Sequence, residues 1–268
     1  MKLKQIIILT FTASFLITSY IPSLARVTNV LIHTAIENQF DENAKKPVDL
    51  VFYLNGGGSN ESYVLGPFIL GGLDVPNLNN FYRKDLVFVS FAFNPSSHWS
   101  SPGTVRDVIN NIQVISKKYN TRKIILIGIS VGGSLALNIL SNADNELKSK
   151  ISKVLIVFPI IDYEYTLKNT KRQNILDDLN KHFSKFKNPK EMMKWSSPLT
   201  YISNIPNHTK IILIEGIQDT HVCSNQIEKY YTELKKKNHD AKLIKYNIDH
   251  TLEPAEKEFG SLVKSFLQ

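Results

Sequence analysis

The stretch from Lys123 to Leu137, Lys-Ile-Ile-Leu-Ile-Gly-Ile-Ser-Val-Gly-Gly-Ser-Leu-Ala-Leu, leaves this chain few architectures to adopt. The β-branched, apolar run Ile124 to Ile129 reads as a strand buried on both faces, as in a parallel sheet. It breaks at Gly128-Ile129-Ser130-Val131-Gly132 and passes directly into a small-residue segment of helical period. With no loop between strand and helix, Ser130 must occupy a tight turn in strained backbone, and Gly128 and Gly132 leave the room that turn needs. The hydroxyl is then pushed out beside a helix N-terminus, whose free N–H groups and positive dipole end favour developing negative charge. Gly-x-Ser-x-Gly alone occurs by chance in loops; a strand before it and a helix after it give it meaning.

In that context Gly128 to Gly133 resembles the nucleophile elbow of the α/β-hydrolase superfamily. The likeness can be followed along nearly all of the chain after residue 25, among esterases and prolyl-oligopeptidase-like catalytic domains. The resemblance implies an α/β-hydrolase fold over residues 26–268: a mostly parallel central sheet flanked by helices, with a small helical cap insertion at 160–206. It also gives a role to Asn55-Gly56-Gly57-Gly58, which follows the apolar strand Val48 to Leu54. This run resembles the His-Gly-Gly-Gly loop that lends backbone N–H groups to an oxyanion hole. By that likeness Gly57 and Gly58, with the N–H of Val131, hold the oxyanion, although Asn55 stands where the family has His.

Further strands are expected at Val27 to Ile36, Leu86 to Phe91, Val154 to Phe158, Lys210 to Ile214 and Lys242 to Tyr246, with helices at Thr104 to Tyr119 and 223–237 and a last helix starting at Pro254. From Ile160 to about Pro206 the strand rhythm stops and Lys- and Asn-rich helical segments take over. Met192 and Met193 are expected in the small core of that insertion. His98 and Trp99, beyond the strand Leu86 to Phe91, are candidates for the substrate pocket, because ligands bind past the carboxyl ends of such strands. Trp195 joins them because the insertion resembles the cap that many α/β-hydrolases place over the active site.

A serine at neutral pH needs a base within hydrogen-bond reach and a group to fix that base's tautomer. Ser130, Asp219 and His250 occur in the superfamily's chain order, each just past an expected strand. Ser130 is the expected nucleophile, His250 the base and then acid, and Asp219 the carboxylate that holds the imidazolium. His221 and His239 compete for the base but do not lie in the loop after the final strand. Asp162 is the reserve acid, and Asp249 is expected to point elsewhere.

Lys2 and Lys4, the apolar run Ile6 to Ile17 and the small residues Ser23-Leu24-Ala25 fit an export signal over residues 1–25, cleaved after Ala25, with no stable membrane insertion afterwards. Its removal lowers the formal charge from +8 to +6. The basic residues are scattered and carry no nucleic-acid motif, so no nucleic-acid partner is expected. Cys223 is the lone cysteine, which excludes an intrachain disulfide and a thiolate metal site. No His, Asp and Glu cluster has metal-ligand rhythm, and neither metal nor cofactor is expected. The expected activity is a secreted or periplasmic serine hydrolase that cleaves a small ester through an acyl-enzyme. Short peptides, thioesters and acyl transfer are the alternatives of like chemistry. Peptidases of the prolyl-oligopeptidase kind usually carry a further N-terminal domain, which roughly two dozen residues ahead of the first strand are not expected to supply. A hydrolase-fold protein that only binds a partner is the alternative of another class; such proteins typically lose a triad member, and this chain keeps every candidate.

Overall fold

In the computed structural model, residues 27–34, 47–57, 85–93, 99–223 and 225–268 are described. Residues 1–25, over which an export signal is expected, lie outside them, as do Gly58 and His98. Among the described residues no helix is long and apolar enough to cross a membrane.

Among the described residues seven strands form one sheet: β1 (Val27–Thr34), β2 (Val48–Leu54), β3 (Leu86–Phe93), β4 (Thr121–Ile129), β5 (Ile151–Val157), β6 (Lys210–Gly216) and β7 (Ala241–Tyr246). Their order is β1-β3-β2-β4-β5-β6-β7. Strand β1 runs antiparallel to β3, and every other pairing is parallel. This is the α/β-hydrolase fold, with the mostly parallel sheet that the buried apolar strands imply. Between β2 and β3 the chain winds one way across the sheet, and from β4 onward it winds the other. The carboxyl ends of β2 and β4 therefore flank the point where strand order reverses, the place where open α/β sheets form a ligand crevice.

Alternation along the strands divides the core between two faces. Leu50, Phe52, Ile124 and Leu126 pack with helices α1 (Pro102–Lys118) and α2 (Val131–Asn142). Val51, Ile125, Ile127, Leu155 and Ile214 pack on the other face, against Phe259, Val263 and Phe266 of the C-terminal helix. Helix α3 (Asn145–Lys150) leads straight into β5. That strand begins three residues ahead of its expected start, because Ser152 and Lys153 read as loop; the Lys153 ammonium instead donates to the Phe266 carbonyl at 2.6 Å.

Between β5 and β6 stand α4 (Tyr163–Asn169), α5 (Gln173–Phe183), α6 (Pro189–Ser196) and a 3-10 turn at Pro198–Asn204. Their apolar residues Tyr163, Leu179, Phe183 and Met193 form a third cluster with Trp99, Val131 and Val222. Met193 is core, as its residue type suggested. Helix α7 (Asn225–Lys236) follows β6, and α8 (Glu256–Leu267) closes the chain. Pro254 lies in the 3-10 turn Glu253–Ala255 rather than at the first position of α8. The tight turn takes proline's fixed φ equally well, so the residue marks the approach to the helix and not its first turn.

Candidate active site

Four strand ends supply the site. After β4, Ser130 adopts φ 54° and ψ −120° as the residue capping α2. A Cβ on Gly128 would lie inside the Gly132 carbonyl, and one on Gly132 inside the carbonyls of Leu54 and Asn55, closer than side chains pack. The turn is thus closed by backbone against backbone, which fixes glycine at both positions. The Ser130 N–H donates to the Val157 carbonyl at 2.7 Å, and its own carbonyl accepts from Gly133 at 2.9 Å.

After β6, Asp219 is buried and accepts with one oxygen from the backbone N–H groups of His221 at 2.8 Å and Val222 at 3.0 Å. Its second oxygen lies 2.7 Å from Nδ1 of His250, which follows β7, and Nε2 of His250 lies 2.9 Å from Ser130 Oγ. The structure brings these three side chains together across 120 residues of sequence. Oδ1 and Oδ2 of Asp219 are divided between holding the carboxylate and orienting the ring, which sets Nδ1 as the donor and leaves Nε2 to accept from the hydroxyl.

The His250 ring is held from two sides. Phe158 packs at 5.3 Å between ring centroids, and His221 stacks at 4.8 Å and 27°. Phe158 has φ 48°, and its N–H donates to the Ile214 carbonyl. Five non-glycine residues among those described have positive φ, and four of them, Ser100, Ser130, Phe158 and Cys223, are part of or next to this site. Backbone strain is concentrated where the chemistry needs fixed geometry. Burial, then the neighbouring charges of His250 and Arg172, push the His221 imidazole below its ordinary value, so that it is a neutral stacking partner at neutral pH.

A cleft of about 490 Å³ opens onto Ser130 and His250. Gly57, Val131 and Trp99 line it. Gly56, not singled out from sequence, lies closer still: a Cβ there would meet the Ser130 Cβ at 3.5 Å. Trp99 is buried and meets Tyr163 edge to face at 6.4 Å. Trp195 does not line the cleft; it sits on α6 with 43% of its surface exposed. Its place is taken by α5, whose Asn174, Asp178 and Lys181 face the opening, with Lys185 in the turn that follows the helix. Sequence gives no sign of this, since a polar stripe of helical period usually faces bulk water.

The competing side chains take no part in the Ser130–His250–Asp219 hydrogen bonds. Asp162 caps α4 by accepting from the Tyr165 N–H at 3.0 Å. His239 is buried in the turn before β7. Asp249, expected to point elsewhere, instead reaches back to Thr220 beside the acid. Asp219, His221 and His250 bring potential metal-ligand atoms within 4.8 Å of one another. A cation there would take the Asp219 oxygen and His250 nitrogen that already bind each other, so the donor set suits proton transfer to and from Ser130 and not a resident metal. Beneath the acid loop, the buried Gln226 amide accepts from Ile161 and Asp162 N–H groups, each at 2.8 Å, and donates to the Thr166 hydroxyl and Val222 carbonyl.

Residues 96–257 match the sequence profile of the prolyl oligopeptidase family. No curated protein matches the chain in sequence. Similar solved structures include an esterase of the planctomycete Thermogutta terrifontis with propionate bound, at 17% identity over 89% of this chain and 88% of that one, with a TM-score of 0.61. An esterase of Pyrococcus furiosus is similar at 20% identity over 85% and 82%, TM-score 0.57. The acylaminoacyl peptidase of Pyrococcus horikoshii shares 15% identity over 89% of this chain but 38% of its own, TM-score 0.63.

Proposed function

The chain belongs to the prolyl oligopeptidase family and is a serine hydrolase of the α/β-hydrolase type; from that premise we propose that it cleaves carboxylic esters through an acyl-enzyme on Ser130. The observation that carries this reading is the unbroken chain of contacts from Ser130 Oγ to His250 to Asp219, at 2.9 and 2.7 Å. His250 Nε2 takes the hydroxyl proton as Oγ bonds to the acyl carbon, and returns it to the departing alkoxide. Water then enters by the same route in reverse, releasing the acid and restoring Ser130. Asp219 keeps the ring oriented and stabilises the imidazolium between the two transfers. The first-turn N–H of Val131, with Gly57 opposite, faces the oxygen that becomes negative.

Two observations favour an ester. The solved esterases resemble this chain over 88% and 82% of their own length, against 38% for the peptidase. The cleft's apolar side, Trp99, Ile160, Ile175 and Val222, offers contacts that suit an acyl group. Family membership favours the second reading, amide cleavage. We place the site of action outside the cytoplasm on the strength of residues 1–25 alone; the N-terminal sequence of the exported protein should begin at Arg26.

Purified protein offered p-nitrophenyl esters of graded acyl length, beside a panel of dipeptidyl amides, should turn over the esters faster. Ser130→Ala should abolish both that turnover and covalent labelling by a fluorophosphonate. Equal labelling of Ser130→Ala would overturn the nucleophile, and faster amide turnover would overturn the substrate class. The Thermogutta esterase has also been solved phosphonylated by sarin, which recommends this class of probe.

A further inference from the structure

Two neighbouring strands end in the loops that carry Asp219 and His250, and their hydrogen-bond ladder does not stop with the strands. Beyond the last β6–β7 pair the Ile217 N–H donates to the Tyr246 carbonyl at 2.9 Å and the Gln218 N–H to the Ile248 carbonyl at 3.1 Å. The next such donor is the Thr220 N–H, where the two chains diverge. There the acceptor is a side chain: Asp249 Oδ1, at 2.9 Å. The same oxygen accepts the N–H of His250 at 2.8 Å. One carboxylate oxygen thus joins the residue after the acid to the backbone of the base itself.

The other oxygen is held from outside the two loops. Arg172, the residue preceding α5, donates from Nη2 to Asp249 Oδ2 at 2.7 Å and from Nε to the Thr220 hydroxyl at 2.8 Å. Thr170 and Lys171 add a hydroxyl and a backbone N–H donated to the Thr220 carbonyl, at 3.2 and 3.3 Å. Gly216 allows the approach, since a Cβ there would crowd the carbonyls of Ile248 and Asp249 at 2.8 and 2.9 Å.

We propose that Asp249 and Arg172 are positioning residues for the triad: their ion pair sets the separation of the acid and base loops and fastens both to the helix that walls the cleft. This rests on the assignment of Ser130, Asp219 and His250 made above. Burial opposes ionisation of Asp249, but the Thr220 and His250 N–H groups, Arg172 and the Thr220 hydroxyl outweigh it and hold the carboxyl far below its ordinary range. The clamp is therefore charged at any pH at which His250 acts as a base. An imidazole displaced by about 1 Å loses its line to Ser130 Oγ, and such misplacement costs on the order of 10²-fold in rate.

The test uses Asp249→Asn, which keeps Oδ1 but turns an amide N–H₂ toward Arg172, together with Arg172→Met and Arg172→Lys. The Arg172 side chain is 44% exposed, so its variants should fold even if Asp249→Asn does not. Asp249→Asn and Arg172→Met should each lower kcat on p-nitrophenyl acetate by about 10- to 100-fold with KM little changed. Arg172→Lys, which keeps the charge, should recover much of that loss, and the double variant should be no worse than the poorer single one. The low-field Nδ1–H proton resonance of His250 should be sharp in wild type and broadened or lost in Asp249→Asn and Arg172→Met. Unchanged kcat and an unchanged resonance in Arg172→Met would overturn the clamp, as would additive losses in the double variant. Absence of that resonance in wild type would also overturn it, because no His250–Asp219 bond would then exist to be positioned. Failure of the Ser130 assignment is read separately, from fluorophosphonate labelling of wild type and Ser130→Ala.

Discussion

Asp219 divides its oxygens between two backbone donors and one imidazole, and this division explains why an amide cannot stand in for it. Asp219→Asn would keep the donors' acceptor but present an N–H₂ to His250 or force the wrong tautomer. Turnover should fall by on the order of 10⁴ while the urea midpoint barely moves. Asp162→Asn, at the cap of α4, should leave turnover unchanged, since asparagine caps as well as aspartate. An inversion of these two results in steady-state kinetics would reassign the acid. At this scale the meeting of Ser130, Asp219 and His250 was legible because each follows a strand end. The place of Asp249 was not, since an acid beside a histidine carries no pattern until the neighbouring loop is in view. Trp195 was misplaced because an aromatic residue type does not say which side of a short helix faces a cleft.

The turn from β4 into α2 is the element on which the site's geometry depends, and it is built from backbone contacts that cannot rotate away. Gly132→Ala puts a methyl group into the carbonyls of Leu54 and Asn55. The expected cost is about 3 kcal/mol, near the top of the range for overpacking, because the obstacle is main chain. Urea unfolding of the variant should show it as a lowered midpoint at unchanged m-value. Strands β2, β4, β5 and β6 were readable as unbroken apolar runs, which parallel strands buried on both faces must have. The helical character of the segment between β5 and β6 was legible, but the function of α5 as a wall was hidden. Which face of a helix meets a ligand is decided by tertiary packing, and the polar stripe of Asn174, Asp178 and Lys181 reads as solvated in isolation.

Taken whole, the molecule should be less tolerant of mild acid than of mild base. His221 and His239 are held below the ordinary imidazole value, both mainly by burial, and His239 leaves Nδ1 without a hydrogen-bond partner among the described residues. Each binds fewer protons folded than unfolded once the pH drops below about 6.5, so their contribution to stability is full above that value and is lost progressively beneath it. Urea midpoints measured from pH 7.5 down to 5 should decline, and His239→Leu should make the decline shallower; an unchanged slope would show that His239 stays neutral when unfolded or charges freely when folded. Fold class followed from one strand–turn–helix and the apolar runs around it, whereas the placing of the helices between β5 and β6 over the cleft depends on long-range hydrogen bonds such as those of Gln226, which no local pattern announces. The left-handed backbone at Phe158 and Cys223 has a practical corollary. A directed-evolution campaign rewarding heat resistance alone would drift toward glycine or asparagine at these positions, and the winners would survive boiling better while working more slowly.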